Sequence, residues 1–95
     1  MDLSINNNVI NIQGNIKSIS DFQTIKSNVD SVVRSHKNIT INIVDSLSIT
    51  SSIIGYFNKL VLKDGIKINM TVGNEQLMNL LEDLNIASTF NAVKN

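Results

Sequence analysis

Two segments of this chain alternate between apolar and polar residues, and this pattern constrains the fold more than any other. Residues 39–44 read ITINIV and residues 66–72 read IKINMTV. Successive side chains of a β-strand point to opposite faces of the sheet, so each segment predicts a strand with one buried face and one face in water. Strands covered by helices on both faces are instead continuously apolar. The alternation therefore predicts helices on one face of the sheet only.

Three other segments carry apolar residues at spacings of three and four, which is the period of a helix with one buried side. The first predicted helix runs from about Ser20 to Ser35, behind a capping box formed by Ser18 and Asp21. The second begins near Ser51, with Thr50 or Ser51 as its N-cap. The third contains the apolar positions Leu77, Leu80, Leu81 and Leu84.

Short strands complete the predicted order of elements. Two of them flank an asparagine turn at residues 6–8, since asparagine tolerates a positive φ, and another lies near Thr89–Val93. The order β-β-α-β-α-β-α-β predicts parallel pairing across each helix. We therefore predict a two-layer α/β fold, with a small, mixed, mostly parallel sheet and helices on one face. With 95 residues, the chain is expected to form a single domain, residues 1–95.

Composition excludes several classes of partner. The chain has eight basic and eight acidic residues, and this balance predicts no binding to nucleic acid or to an anionic membrane. It has no cysteine, which excludes disulfides and thiolate chemistry. No apolar run approaches the length that spans a bilayer, and the N-terminus lacks the apolar core of a signal peptide. We therefore expect a cytoplasmic protein with no membrane insertion.

The sequence offers little catalytic chemistry. The four glycines are isolated, so the sequence contains no phosphate-binding loop. The single histidine, His36, lies at the end of the first predicted helix, where a cation stabilises the helix dipole, and a capping role is favoured over catalysis. Glu82 and Asp83 are adjacent and do not face each other on a helix, and no spacing of acidic residues suits a metal site. We expect no enzyme activity, no cofactor and no metal.

Five hydroxyl side chains cluster between the first alternating segment and the second predicted helix. They are Ser46, Ser48, Thr50, Ser51 and Ser52. Serine and threonine cap helices and fill turns, and at least one of the five is expected to do so here. The functional interpretation is a phosphorylation switch, because a phosphate would meet the free amides of a helix N-terminus and add about two negative charges. The two interpretations are compatible.

The second predicted helix also carries a candidate docking face. Projection of its apolar stripe places Gly55, Tyr56, Lys59 and Leu62 on or towards the outside. A glycine inside a helix costs about 1 kcal/mol relative to alanine, and close approach of another backbone would explain its presence. An exposed tyrosine and leucine beside it suit a protein interface. The candidate partner-docking residues are Thr50, Ser52, Gly55, Tyr56 and Lys59.

The order of elements, three short sequences and one phenylalanine together resemble a STAS domain, the family of anti-sigma-factor antagonists. The sequences are TSSIIG at residues 50–55, KDGI at residues 63–66 and LLEDL at residues 80–84, and the phenylalanine is Phe90. Members of that family carry a sequence close to DSSGLG at the start of the corresponding helix, and a partner kinase phosphorylates its first serine. The resemblance implies that Ser51 is the phosphoacceptor. Thr50 and Ile53 stand where the family usually has aspartate and glycine.

The resemblance also implies a function. It indicates a bacterial signalling protein in the regulation of transcription: a non-catalytic protein-binding module whose partners are a serine kinase that is also the anti-sigma factor, and a phosphatase. The alternative is a constitutive STAS-like accessory subunit of a transporter ATPase or another complex, which needs no phosphorylation signature. Many relatives continue beyond the position of Asn95 into a further helix, and apolar surface left uncovered there would favour a homodimer.

Overall fold

The computed structural model describes all 95 residues and contains five strands and three helices. The predicted order β-β-α-β-α-β-α-β is confirmed. The elements are β1 (Asp2–Asn6), β2 (Val9–Gln13), α1 (Ile19–Val33), β3 (Asn38–Ile43), α2 (Ser51–Leu62), β4 (Lys67–Val72), α3 (Glu75–Asp83) and β5 (Val93–Lys94).

The five strands form one mixed sheet in the order β1-β2-β3-β4-β5, so neighbours in the sheet are also neighbours along the chain. β1 and β2 form an antiparallel hairpin in which Asn6 lies opposite Val9. Asn7, in the turn between them, has a φ of 55°, the conformation that asparagine tolerates. The other three pairs of strands are parallel, and each parallel pair is joined by a helix.

One face of the sheet carries the core. Ile10, Ile41 and Met70 are fully buried on neighbouring strands, and the buried residues of all three helices belong to the same apolar cluster. The opposite face is polar. There the hydroxyl of Thr71 donates to Asn42 Oδ1 at 2.6 Å, and Asn42 Nδ2 donates to Asn11 Oδ1 at 2.8 Å. The helices therefore cover one face, as the alternation of the strands predicts.

Local capping chemistry sets the starts of the helices. At α1 the amide of Asp21 donates to Ser18 Oγ at 3.0 Å, and the amide of Ser18 donates to Asp21 Oδ2 at 3.2 Å, which is the predicted capping box. Asn74 caps α3 with its side-chain oxygen. Beyond the end of α1, His36 Nδ1 lies 3.2 Å from the carbonyl oxygen of Val32. His36 thus occupies the helix-terminal position that the sequence predicts.

The last strand differs from its prediction. We expected a strand near Thr89–Val93, but β5 contains only Val93 and Lys94. The preceding residues form turns instead, with the amide of Phe90 donating to Ile86 O at 3.2 Å. These turns bury the Phe90 ring, which packs edge-on against Phe57 with centroids 5.9 Å apart. Because these turns bury the large Phe90 ring, the residues before β5 adopt turns and not the strand that their sequence predicted.

Candidate functional site

The outward face of α2 is the candidate site, and it consists of exposed residues along one side of the helix. Ile53, Phe57 and Leu60 are buried on the inner side. The exposed residues, here called the α2 face, are Ser51, Ser52, Gly55, Lys59 and Leu62. Leu62, at the C-terminal end of this face, is 77% exposed. The α2 face therefore combines two hydroxyls, one cation and one uncovered apolar side chain.

A hydrogen-bonded junction between two loops fixes where α2 begins. The amide of Gly14 donates to Asp45 Oδ1 at 2.7 Å, and the amide of Leu47 donates to Asn15 Oδ1 at 3.0 Å. Between them Ser46 is fully buried. Its Oγ accepts from the amide of Ile16 at 3.1 Å and donates to the carbonyl oxygen of Ser48 at 2.7 Å. The loop after β2 thus holds the loop that leads from β3 into α2.

The hydroxyl cluster divides into structural and unengaged members. Ser46 belongs to the loop junction, and Thr50 is the N-cap of α2, with its Oγ1 accepting from the amide of Ile53 at 3.3 Å. Ser51 and Ser52 are the first two residues of α2, both are exposed, and neither hydroxyl bonds to another part of the chain. Their amides precede that of Ile54, the first to donate within the helix, to Thr50 O at 3.1 Å, so they have no partner within the helix. Ser51 and Ser52 are therefore available for modification or contact.

A cleft of about 430 Å³ lies beside Thr50 and Ser52, where the N-terminus of α2 meets the N-terminus of α1. Its lining residues are Lys17, Ser18, Ile19, Phe22, Gln23, Thr50 and Ser52. Ile19 is 78% exposed. Sequence reasoning missed Lys17 and Ile19, although one signal was present: Ile19 follows the N-cap of α1 but lies off its apolar stripe. The cleft therefore places the apolar side chains of Ile19 and Phe22 and the basic side chain of Lys17 beside the α2 face.

Gly55 lies at the middle of the α2 face with open space above it. A Cβ added to this glycine would have no atom within 4 Å. Further along, Lys59 Nζ forms an exposed ion pair with Asp64 Oδ2 at 3.0 Å. No group inside the molecule therefore requires a glycine at position 55. A partner that approaches the helix backbone closely remains a physical reason for it.

Tyr56 is not on the α2 face, and its predicted outward position was wrong. Its side chain is only 6% exposed and packs against α1, with its ring edge-on to Phe22 at a centroid distance of 6.4 Å. Its hydroxyl donates to Asp30 Oδ1 at 2.5 Å. Tyr56 lies at the border of the apolar stripe, so the position of α1 decides whether it is covered. Its role is to join α2 to α1.

The contact between Tyr56 and Asp30 shifts both ionisation equilibria. Burial raises the pKa of the Tyr56 hydroxyl far above its ordinary value, and the neighbouring Asp30 carboxylate raises it further. Partial burial opposes ionisation of Asp30, but hydrogen bonds from Tyr56 and Lys26 outweigh it and lower the pKa of the carboxyl. Lys26 Nζ also lies 5.6 Å from the centre of the Tyr56 ring. The three side chains form one polar link between α1 and α2.

A second cleft, of about 530 Å³, lies on the other side of the β3–α2 loop. It is lined by Leu47, Ser48, Glu75, Gln76, Asn79, Leu80 and Asp83. The two acidic residues of this cleft, Glu75 and Asp83, are exposed, and neither a histidine nor a third acidic residue lines it. In the whole chain, no three histidine or acidic side chains lie close enough together to hold a metal ion. The sequence had not singled out this cleft.

Comparison of the chain with protein-family models, with curated proteins and with solved structures gives no match. None of the three helices is both long and apolar enough to cross a lipid bilayer.

Proposed function

We propose that this chain is a non-catalytic, STAS-like protein-binding module that docks a regulatory partner through the α2 face and is switched by phosphorylation of Ser51. One observation carries the proposal: Ser51, Ser52, Gly55, Lys59 and Leu62 share one exposed face of a helix whose start is rigidly held. The sequential order of elements and the TSSIIG sequence support the STAS resemblance. The family implies a serine kinase that is also an anti-sigma factor, and a phosphatase, as partners.

Ser51 is chemically suited to accept a phosphate. It is the first residue of α2, exposed, and its hydroxyl holds no structural bond. A phosphate there adds about two negative charges at the positive end of the helix dipole and beside two amides without helical partners. Thr50 stays in its capping role throughout. Phosphorylation thus changes the charge of the docking face while leaving the core untouched.

The two departures from the family signature have structural roles here. Thr50 uses its hydroxyl to cap α2, and Ile53 is fully buried in the core. Both substitutions therefore preserve the helix start without supplying the usual aspartate and glycine. This observation favours one second candidate, a constitutive accessory subunit of a transporter ATPase or another complex, because such a subunit needs the α2 face but no phosphoacceptor.

Docking is tested with a pair of arginine variants. Gly55→Arg places a long cationic side chain on the α2 face, at a position where an added Cβ has no atom within 4 Å. Ser31→Arg, the matched control, adds the same side chain at an exposed position of α1. Affinity purification from cells of the source organism should recover a partner with the wild type and with Ser31→Arg, and lose it with Gly55→Arg. Equal recovery by Gly55→Arg would refute docking through this face.

The switch is tested separately. The chain is incubated with ATP and an anti-sigma-factor-type serine kinase from the same organism, and phosphate is mapped by mass spectrometry. We expect modification of the wild type and of Ser52→Ala, none of Ser51→Ala, and loss of partner capture by Ser51→Asp. Absence of phosphate from Ser51, with Ser51→Asp binding as the wild type does, would eliminate the switch. Recovery of transporter subunits through an intact α2 face would then favour the second candidate.

A further inference from the structure

β1 is a five-residue open edge of the sheet, whereas the opposite edge is a strand of only two residues, β5. There the C-terminal turns supply further partners to β4: Phe90 O accepts from the amide of Met70 at 3.2 Å, and Asn91 Nδ2 donates to Ile68 O at 2.9 Å. β1 has five residues, and no strand lies beyond it. An open edge presents unpaired backbone groups and is a template for pairing with another chain.

The hydrogen bonds of β2 show which backbone groups of β1 face outward. The carbonyl oxygen of Asn8, just before β2, accepts from Thr40 N, and that of Ile12 accepts from Val44 N, just after β3. The even-numbered residues of β2 therefore face β3. The odd-numbered residues of β2 therefore face β1, where their partners are Asp2, Ser4 and Asn6. The N–H and C=O groups of the remaining two residues, Leu3 and Ile5, consequently point to the open edge.

β1 carries little of the usual protection of an edge strand, since its one charged residue, Asp2, is at its first position. Its sequence, DLSIN, contains no lysine or proline, and its register with β2 is continuous over all five residues without a bulge. Ile5 is 40% exposed and Leu3 is half-buried. Both lie opposite core residues, Ile10 and Ile12, and hence on the helix-covered face. The apolar layer of the sheet is therefore unfinished at this edge.

We propose that β1 pairs antiparallel with β1 of a second copy of this chain, joining two five-stranded sheets about a twofold axis at Ser4. In this register Leu3 of each copy lies opposite Ile5 of the other, and the outward N–H and C=O groups of these residues form four hydrogen bonds. Asp2 lies opposite Asn6, so no like charges meet. The strand is complementary to itself in hydrogen bonding, apolar contact and charge, which is what an isologous interface requires.

The proposed interface uses the sheet edge and is independent of the α2 face. Pairing through one strand buries little surface, so the dimer is expected to be weak and to form at high concentration. Sedimentation or light scattering between about 10 µM and about 1 mM should show a change from monomer to dimer. A monomeric mass over the whole range would overturn the proposal.

Charge variants at the twofold axis test the register. Ser4 is exposed on the polar face, and in the dimer it meets Ser4 of the second copy in a closely spaced, non-hydrogen-bonded pair. Ser4→Lys should raise the dissociation constant about fivefold, because like charges then lie directly opposite. An equimolar mixture of Ser4→Lys and Ser4→Glu should restore the dimer. Dimerisation of Ser4→Lys at the wild-type concentration would contradict this interface.

Asn6→Lys is the matched control, since the same charge then lies opposite Asp2 of the second copy. It should dimerise at least as well as the wild type.

Hydrogen exchange of the unmodified chain gives a second readout. Exchange at the amides of Leu3 and Ile5 should slow as the concentration rises, while the amide of Ser4, which faces β2, should not change. Rates at Leu3 and Ile5 that are independent of concentration would refute the pairing.

Discussion

Gly55 and Gly73 differ in the space around them, and this difference predicts opposite effects of the same substitution. Gly55→Ala should stabilise the chain by about 1 kcal/mol, because alanine favours a helix interior and nothing is displaced. At Gly73 an added Cβ would overlap the carbonyl oxygen of Val44. Gly73→Ala should therefore destabilise by about 1–3 kcal/mol. Urea denaturation of the two variants measures both values; a gain at Gly73 would contradict the observed backbone packing.

Removal of the Tyr56 hydroxyl should weaken the contact between α1 and α2. Tyr56→Phe keeps the ring and its edge-on contact with Phe22 but removes the hydrogen bond to Asp30. We expect a loss of about 1–2 kcal/mol in the free energy of unfolding at neutral pH. Urea denaturation measures this loss. Phe22→Leu serves as a control that weakens the aromatic contact and leaves the hydroxyl bond in place.

The hydrogen bond between Tyr56 and Asp30 should also make the free energy of unfolding depend on pH. The pKa of Asp30 is lower in the folded chain than the ordinary value of 3.8, so its ionised form stabilises the fold above that pH. This contribution is lost as the pH falls through the folded-state value. The difference in stability between the wild type and Tyr56→Phe should therefore be complete at neutral pH and shrink below about pH 3.8. A difference that stays constant down to pH 2 would show that Asp30 is not the acceptor that matters.

The two hydrogen bonds of Ser46 in the loop junction should contribute to the free energy of unfolding. Ser46→Ala leaves the buried amide of Ile16 and the carbonyl oxygen of Ser48 without their hydrogen-bonding partner. The expected cost is about 1–3 kcal/mol, because unmade buried hydrogen bonds carry the full desolvation penalty. Thermal or urea denaturation measures it, and Ser48→Ala, an exposed neighbour that uses only its backbone in this contact, is the control. Equal stability of Ser46→Ala and Ser48→Ala would contradict the junction.

The elements that sequence predicts well are those set by neighbouring residues. Alternation in residues 39–44 and 66–72 was enough to predict strands with one polar face, and the pair Ser18 and Asp21 was enough to predict the capping box. These features depend on local spacing alone. The same local information predicts that α2 begins near Ser51, with Thr50 or Ser51 as its N-cap, and the structure assigns the cap to Thr50.

Features set by distant contacts were not predictable. Tyr56 is covered because Asp30, 26 residues earlier, reaches it from α1. Ser46 is buried because Ile16, 30 residues earlier, donates to it. The cleft beside Ser52 exists only because the N-termini of α1 and α2 lie side by side. The spacing of apolar residues within each helix does not predict this arrangement. Within the hydroxyl cluster, the structural role of Ser46 could therefore be assigned only once the loops were placed.

At the scale of the whole molecule, charge contributes little to stability. The net charge is +0, and the two ion pairs, Lys26–Asp30 and Lys59–Asp64, have side chains that are all at least about one-third exposed. Exposed pairs of this kind are worth at most about 1 kcal/mol each and are screened by salt. Raising sodium chloride from about 0.05 M to about 1 M should therefore shift the free energy of unfolding by less than about 1 kcal/mol. Urea midpoints at the two salt concentrations test this.

The strand order of the sheet has a consequence for how fast the chain folds. Because every strand pairs only with the strand before it and the strand after it, no later segment has to insert between two that have already paired. The two strands of each pair are joined by one turn or by one helix and its loops, so paired residues are close along the chain. Short separations lower the loop-closure entropy that is lost before contacts form, and we therefore expect fast folding for a sheet of five strands.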